Sequence, residues 1–370
     1  MSAHNLCKLE LLIVTMHAPI FTERLTAESI FSILSSSTYR KNSLARMNFP
    51  DCRPAMLRTL QRCIQSERPI QLTLMAFPFK VPNPAKVGSR KLPDFAELSA
   101  ICHLRSLKEA IQAVYPPGLE LHILHDGSLI GDLFGIDLQE IREYETYFSG
   151  LVALAQASNF IRCHDFVVLQ RLSKLDPTGS IEQLQLASER WLYERRGTDE
   201  WRRIFHKTLG MINLREFSTS QVVTLMSESS LGQLSPGYAN LQRRVLEAMV
   251  QYRVKDTIIH QFDPRPHRFQ DAIHTTTQDR PGRLAIWLVR RGRSLLPWHG
   301  VGCLDSRGRA EVVHAAYICE RDNCYAEFIS GEKTPFVFRK LSDSAPPGHR
   351  QDSKPAENLV ESLFVAKPRQ

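Results

Sequence analysis

A chain of 370 residues with 43% apolar and 23% charged side chains has the composition of an ordinary folded protein, which excludes a disordered, collagen-like or coiled-coil chain. At about 150 residues per domain this length allows two or three folding units. Its 47 basic and 39 acidic side chains leave a net +8, which favours anionic ligands without selecting nucleic acid.

The eight cysteines are scattered with no CxxC pair, so reduced thiols in a reducing compartment are expected. The most apolar N-terminal stretch, Leu9 to Val14, is far shorter than the roughly 20 residues a membrane span needs. The expectation is a cytoplasmic protein with no membrane contact.

Residues 1–66 read as an N-terminal helical segment, with helices over Leu25 to Tyr39 and Arg53 to Gln65 and the breaker MNFPDCRP between them. From Arg68 the period changes to two: Ile70, Leu72, Leu74 and Ala76 alternate with polar or smaller neighbours, which predicts a strand ending in a proline-rich loop at Phe77. Asp94 and Glu97 have capping-box spacing, and Leu98, Ile101, Leu104, Leu107, Ile111 and Val114 then recur at steps of three to four, which predicts a helix with one buried stripe. YPPG at Tyr115 to Gly118 stops that helix. Leu119 to Leu124 reads as a second strand, bounded by Asp126 and Gly127.

Strand, helix and strand make a right-handed βαβ unit, which puts the loop at Phe77 and the turn at Asp126 on one edge of a parallel sheet, the edge where ligands bind in open α/β sheets. A helix carrying Leu138, Ile141, Tyr144 and Phe148 follows, then a strand over Phe160 to Leu169 and helices over roughly 180–254. Leu284 to Val289, Trp298 to Leu304 and Glu311 to Ile318 are strand-like and separated by RRGR and SRGR turns. The predicted fold class is α/β: a Rossmann-like, mostly parallel sheet with flanking helices over 67–341, an N-terminal helical extension, a β-rich C-terminal part over 255–341, and a mobile tail over 342–370.

Several chemistries have no support. GxSxG is absent, Tyr238 follows Gly237 where a phosphate-cradling loop needs lysine, and no GxGxxG opens a helix. No histidine begins an HxD, HxE or HExxH motif, and His122 and His125 stand three apart on a strand, where they point to opposite faces. Neither a cofactor nor a protein-bound metal is expected.

Three runs carry chemistry. In FPFKVPNPAKVGSRK, Pro78, Pro82 and Pro84 fix the backbone so that Lys80 and Lys86 are held in place; this suits an anion such as a sugar phosphate, with a solvated basic loop as the alternative. In ILHDGSLIGDLFGI, Asp126 ends a strand and Asp132 follows a glycine turn; two carboxylates there can exchange protons or hold hydroxyls, the alternative being an Asp-Gly turn that only shapes the chain. LPWHGVG combines Trp298 with His299, an imidazole able to move protons near neutral pH or, alternatively, a buried and satisfied histidine. Arg280, Arg283, Arg290, Arg291, Arg293, Arg307 and Arg309 crowd the same region, and one of them can hold a substrate carboxylate bidentately.

Together and in this order, the runs resemble the isocyanide (isonitrile) synthase family, also called the pyoverdine and dityrosine biosynthesis family. The family's FPxK segment with a second lysine corresponds to Phe77 to Lys80 with Lys86, its PDxAE helix start to Pro93 to Glu97, its SDG segment running into DLxGV to Asp126 to Ile136, and its late PWH to Pro297 to His299. The chain departs from the pattern at His125, where the family has serine, and at Asp256 to His260, where DTIIH stands in place of an IRLSIH-like strand.

The resemblance implies a cytoplasmic enzyme, transferase- or lyase-like, that converts the α-amine of an amino acid, tyrosine or tryptophan, to an isonitrile in secondary metabolism. Ribulose 5-phosphate is the carbon donor, no cofactor is needed, and a separate oxygenase of the iron and 2-oxoglutarate type acts on the product. In that reading Lys80 and Lys86 hold the phosphate, Asp126 and Asp132 bind sugar hydroxyls or move protons, His299 is a general acid or base, and Phe79 and Trp298 line the pocket. The alternatives are formation of N-formyl-tyrosine on the same scaffold and, in a different class, a basic nucleic-acid- or partner-binding protein.

Overall fold

The structure, a computed structural model, describes residues 23–41, 49–278, 283–289, 295–305, 307–319, 324–328 and 334–340. The expected tail over 342–370, Arg280 and the RRGR turn lie outside these residues.

Helices α1, over 23–35, and α2, Phe49–Gln65, open the chain. The second begins inside the predicted breaker and runs on through Pro54; Pro50 falls in the first helical turn, where a missing N–H leaves no bond unmade. Ala27, Ile30 and Leu34 of α1 and Met56, Leu60 and Cys63 of α2 belong to the same buried cluster as the sheet strands, so these helices share the main core.

Five strands, β1 (Ile70–Met75), β2 (Leu119–His125), β3 (Ile161–Asp165), β4 (Ile273–Thr276) and β5 (Leu284–Ala285), form a sheet in the order β3-β2-β1-β4-β5. Every adjacent pair is parallel. Parallel sheets are covered on both faces, and β1 and β2 accordingly bury residues of both parities. The chain runs outward from β1 to β3 and returns to place β4 on the other side of β1, so the order reverses between β1 and β4. Such a reversal leaves a crevice beyond the carboxyl ends of the strands.

The short helix α3 (Pro84–Val87) and the long helix α4 (Phe95–Gln112) join β1 to β2. The predicted capping box is present: the Asp94 side chain accepts from Ala96 N at 2.7 Å and Glu97 accepts from Asp94 N at 2.9 Å. More than one stripe of α4 is buried, His103 and Ala100 included. It packs on β2 on one side and, on the other, against β6 (Val301–Leu304) and β7 (Ala310–Val313) of a second sheet, completed by β8 (Cys324–Glu327) and β9 (Val337–Lys340) in the order β7-β6-β9-β8. Gly302 lets β6 approach the start of α4; a Cβ there would lie 2.6 Å from Ala96 N.

Between β2 and β4 the chain adds α5 (Gly127–Ile130), α6 (Leu138–Leu154), α7 (Phe166–Leu172), α8 (Ile181–Glu194), α9 (Asp199–Leu209), α10 (Thr219–Glu228), α11 (Ala239–Gln261) and α12 (Arg265–Arg268).

Four predicted strands shorten or move. The apolar run over 160–169 splits because the Asp165 side chain accepts from Val168 N at 3.0 Å and starts α7. Leu284 and Ala285 join the main sheet, and its outer edge is covered by 39–41: Lys41 N donates to Ala285 O at 3.0 Å and Trp287 N to Tyr39 O at 2.7 Å. The run over 298–304 loses its beginning to a 3-10 turn at Pro297–His299. The run over 311–318 divides into β7 and a short helix, α13 (Ala315–Cys319). No described helix is long and apolar enough to cross a membrane.

Candidate active site

A cavity of about 130 Å³ lies beyond the carboxyl ends of β1 and β4, at the reversal point. Its floor is assembled by a close crossing of two loops. Phe77, just after β1, adopts the left-handed φ of 58°, a conformation that costs a non-glycine residue about 1–2 kcal/mol. His125, the last residue of β2, faces its carbonyl, with Nδ1 2.8 Å from Phe77 O. A carbonyl only accepts, so Nδ1 carries the proton, and the family's serine position here holds the strained loop. Pro78 O then passes so near α5 that a Cβ on Gly127 would sit 2.4 Å from it. The glycine of the Asp-Gly pair is required by this contact, which places Asp126 and Phe79 on one cavity wall.

Asp126 lies at the head of α5 and no described side chain donates a hydrogen bond to it. Burial pushes its carboxyl up to about 6, Asp256 adds to the effect, and Arg265 opposes it. The group therefore changes charge close to neutral pH, as a proton-transfer residue must.

Trp298 and His299 enter from the 297–299 turn and also line the cavity. Phe77 and Trp298 meet edge to face at 5.2 Å, and Phe79 and Phe134 at 6.1 Å, which fixes both wall aromatics. Burial, and then the charges of Lys86, Lys207, His314 and Lys80, hold His299 well below the usual imidazole range. His299 is thus uncharged at pH 7.

The two lysines expected to act together are separated. Lys80 has no exposed surface and its ammonium turns away from the cavity. It lies 3.1 Å from Asp94 Oδ2 and 2.9 Å from Glu97 Oε2, and donates to the carbonyls of Pro297 and Gly300 at 3.0 and 2.8 Å. All of its donor capacity is taken, so the phosphate role expected for Lys80 is corrected to a structural one: it ties the head of α4 to the turn that carries Trp298 and His299.

Lys86, on α3, is not among the lining residues but stands close behind them: its Nζ would lie 2.9 Å from a Cβ on Gly210, which directly precedes the lining residue Met211. Burial and the Lys207 charge lower Lys86 to about 8, and no described carboxylate pairs with either lysine. The expectation for Asp132 is also corrected. Its side chain is 73% exposed and bound to Lys255 at 2.7 Å, because the glycine turn continues as a 3-10 helix that faces α11.

Sequence reasoning missed several wall residues. Asp256 and His260 project from the end of α11, so DTIIH is the last turn of a helix, and the strand after it is β4 with the sequence IHTT. Lys207 comes from α9, Thr275 to Thr277 from β4 and beyond, and Arg265 and Arg283 from the segments flanking β4. Arg283 stands in the arginine-rich run, and Asp256 and His260 stand in DTIIH, which the family resemblance matches to a strand. Among the described residues, no group of three or more His, Cys, Asp or Glu side chains is arranged to hold a metal ion.

Residues 60–223 match the profile of the pyoverdine/dityrosine biosynthesis protein family. An L-tyrosine isonitrile synthase from Xenorhabdus nematophila is 34% identical over 114 residues, 31% of this chain and 31% of that protein. The isocyanide synthase xanB from Aspergillus fumigatus is 24% identical over 325 residues, 80% of this chain and 40% of that protein. The matches thus span between about a third and two fifths of these curated relatives. The crystal structure of the PvcA protein from Pseudomonas aeruginosa superposes with a TM-score of 0.58 and 22% identity, covering 86% of this chain and 100% of that one, a likeness that bears on the fold.

Proposed function

We propose, on the match of residues 60–223 to the pyoverdine/dityrosine biosynthesis protein family, that this protein is an isonitrile synthase-like enzyme acting on the α-amine of tyrosine or tryptophan, with ribulose 5-phosphate as the carbon donor. The supporting observation is the cavity itself: Asp126, His299 and Lys207 line one enclosure, and Lys86 lies close enough to Lys207 to be lowered by its charge. Condensing an amine with a ketose phosphate needs proton acceptors and an anion anchor held in fixed geometry, and no nucleotide. The free thiols Cys63, Cys102, Cys163, Cys303 and Cys324 accord with work in the cytoplasm.

Asp126, ionised above about pH 6, removes a proton from the condensing amine. His299, uncharged, takes a second proton during breakdown of the sugar adduct. Lys86 and Lys207 hold the phosphate, while Phe79 and Trp298 exclude water from the reacting atoms.

The direct test is incubation of the protein with ribulose 5-phosphate and a pool of amino acids, read by mass. An isonitrile of tyrosine or tryptophan is expected. A product heavier by one water is the formamide and would move the protein to N-formyl transfer, and no product from any amino acid would overturn the reading.

Lys86→Met should weaken ribulose 5-phosphate by about tenfold or more, the loss typical of a charged hydrogen bond. The wild-type grip should itself fade as pH rises through about 8, where Lys86 loses its proton. Titrations of the sugar phosphate on either side of that pH check both. Unchanged affinity in the variant would remove Lys86 from the anchor.

A further inference from the structure

A second cleft, of about 390 Å³, opens beyond the carboxyl ends of β2 and β3. Its lining residues and those of the first cavity do not overlap. Strand register sets His125 beside Asp165 and Leu124 beside His164. Helix α6 covers these strand ends, with the Phe148 ring 5.5 Å from the His125 ring, and Glu145 stands one turn before Phe148 on the same face.

This lining accepts hydrogen bonds far more than it donates them. His125 Nδ1 gives its proton to Phe77 O at 2.8 Å, which leaves Nε2, on the ring side away from Phe77, with a lone pair. His125 is 3% exposed, and among the described residues nothing donates to its Nε2 or to the buried Glu145 Oε1. Buried acceptors are normally paired, so two left open at one cleft call for an occupant that donates. The Thr146 and Ser149 hydroxyls give their protons to Arg142 O and Glu145 O of their own helix, at 2.8 and 2.9 Å, so their oxygens present lone pairs as well. Burial holds His125 below the usual imidazole range and His164 at about 4, so neither brings a charge, and Cys163, raised to about 12, remains a thiol. Two acids, Glu145 and Asp165, thus face one cation, the exposed Arg142.

We propose that this cleft is a second binding site, for a hydroxylated primary amine that donates to both open acceptors, His125 Nε2 and Glu145 Oε1. The site stands apart from the synthase reading of the first cavity and does not depend on it. An ammonium brings three donors and a positive charge, which suits open acceptors beside two acids. Hydroxyls suit the rest of the wall, since every lining side chain carries a nitrogen, oxygen or sulfur atom. An anion would meet the two acids, and an apolar occupant would leave both acceptors open.

The test is calorimetric binding of 1-amino-1-deoxysorbitol to the full chain, against sorbitol, which has the same skeleton without the charge. The amine should bind about tenfold or more tighter than sorbitol, and in Glu145→Gln that preference should fall to about twofold or less. Burial, and then Asp165, push Glu145 up to about 7, with Arg142 opposing. The carboxylate is the form that pairs with an ammonium, so affinity for the amine should rise as pH climbs through about 7, while that for sorbitol stays flat. In wild-type protein labelled with ¹⁵N-histidine, saturation with the amine should shift the His125 Nε2 resonance, a readout that needs no variant to fold. Equal binding of amine and sorbitol, an amine preference retained in Glu145→Gln, or an unmoved His125 signal would each overturn the site. So would failure of both compounds to bind, and none of these results touches the mass-based test of the synthase reading.

Discussion

Asp126→Asn should lower kcat by about 10²–10⁴, the usual contribution of a positioned proton-transfer group, with the affinity for ribulose 5-phosphate little changed. Asparagine keeps the shape of the α5 head and the crossing at Gly127 but cannot accept the amine proton. In the wild type the active form is the carboxylate, so kcat should fall as pH drops through about 6, the value to which burial raises this group. That limb should vanish in the variant.

The same shift separates chemistry from folding. A carboxyl raised in the folded state above its unfolded value binds protons more tightly when folded, so it favours the fold at low pH, and that contribution is lost as pH rises through about 6. At pH 7 the charged, buried group opposes folding. Asp126→Asn should therefore unfold no earlier than wild type in urea at neutral pH. A variant with wild-type turnover, or one that loses activity only because it unfolds, would remove Asp126 from the mechanism.

What was legible in the sequence is the local part of this arrangement. Alternation at Ile70 to Ala76, the capping box at Asp94 and Glu97, and the stop at YPPG identify one βαβ unit, and the connection rules alone put Asp126 and the Phe77 loop on one edge. All of these signals lie within a few turns of chain. The second half of the wall is carried by segments far along the chain: β4 reaches its place beside β1 only after six helices of ten or more residues, and nothing in the order of residues says on which side of β1 it docks. Arg265 stands on a four-residue helix too short to show a period, Lys207 on a helix whose polar face looks like any other, and Asp256 in a DTIIH stretch that reads as a strand but ends a helix.

Lys80 shows the opposite failure. A lysine in a basic, proline-stiffened loop reads as an anion ligand, and the acids that neutralise it, Asp94 and Glu97, read as an ordinary helix cap. The cap is real, but the same two carboxylates also face the ammonium. A residue with two structural partners on one helix is invisible to spacing rules that consider one interaction at a time.

Lys80→Met should accordingly be the most destabilising single change in this region. Removing one partner of a buried ion cluster costs about 3–5 kcal/mol, because the charges left behind have neither water nor a counter-ion. Here Asp94 and Glu97 would face each other at the buried start of α4, and the carbonyls of Pro297 and Gly300 would lose their donor. Glu97 already stands at about 7 with Lys80 present, burial being the largest cause, and loss of the ammonium raises it further. The folded variant therefore holds a proton on Glu97 at low pH and must give it up or unfold as pH rises. The gap between wild type and Lys80→Met in urea unfolding should be smallest in mild acid and widen through neutrality, the sign expected for an acid raised in the folded state. Turnover should fall with it, since the 297–300 turn that aims Trp298 and His299 loses its tether. A variant as stable as wild type, whose only defect is weaker ribulose 5-phosphate binding, would return Lys80 to the substrate and require the 297–300 turn to be held by Val81 N on Trp298 O without it.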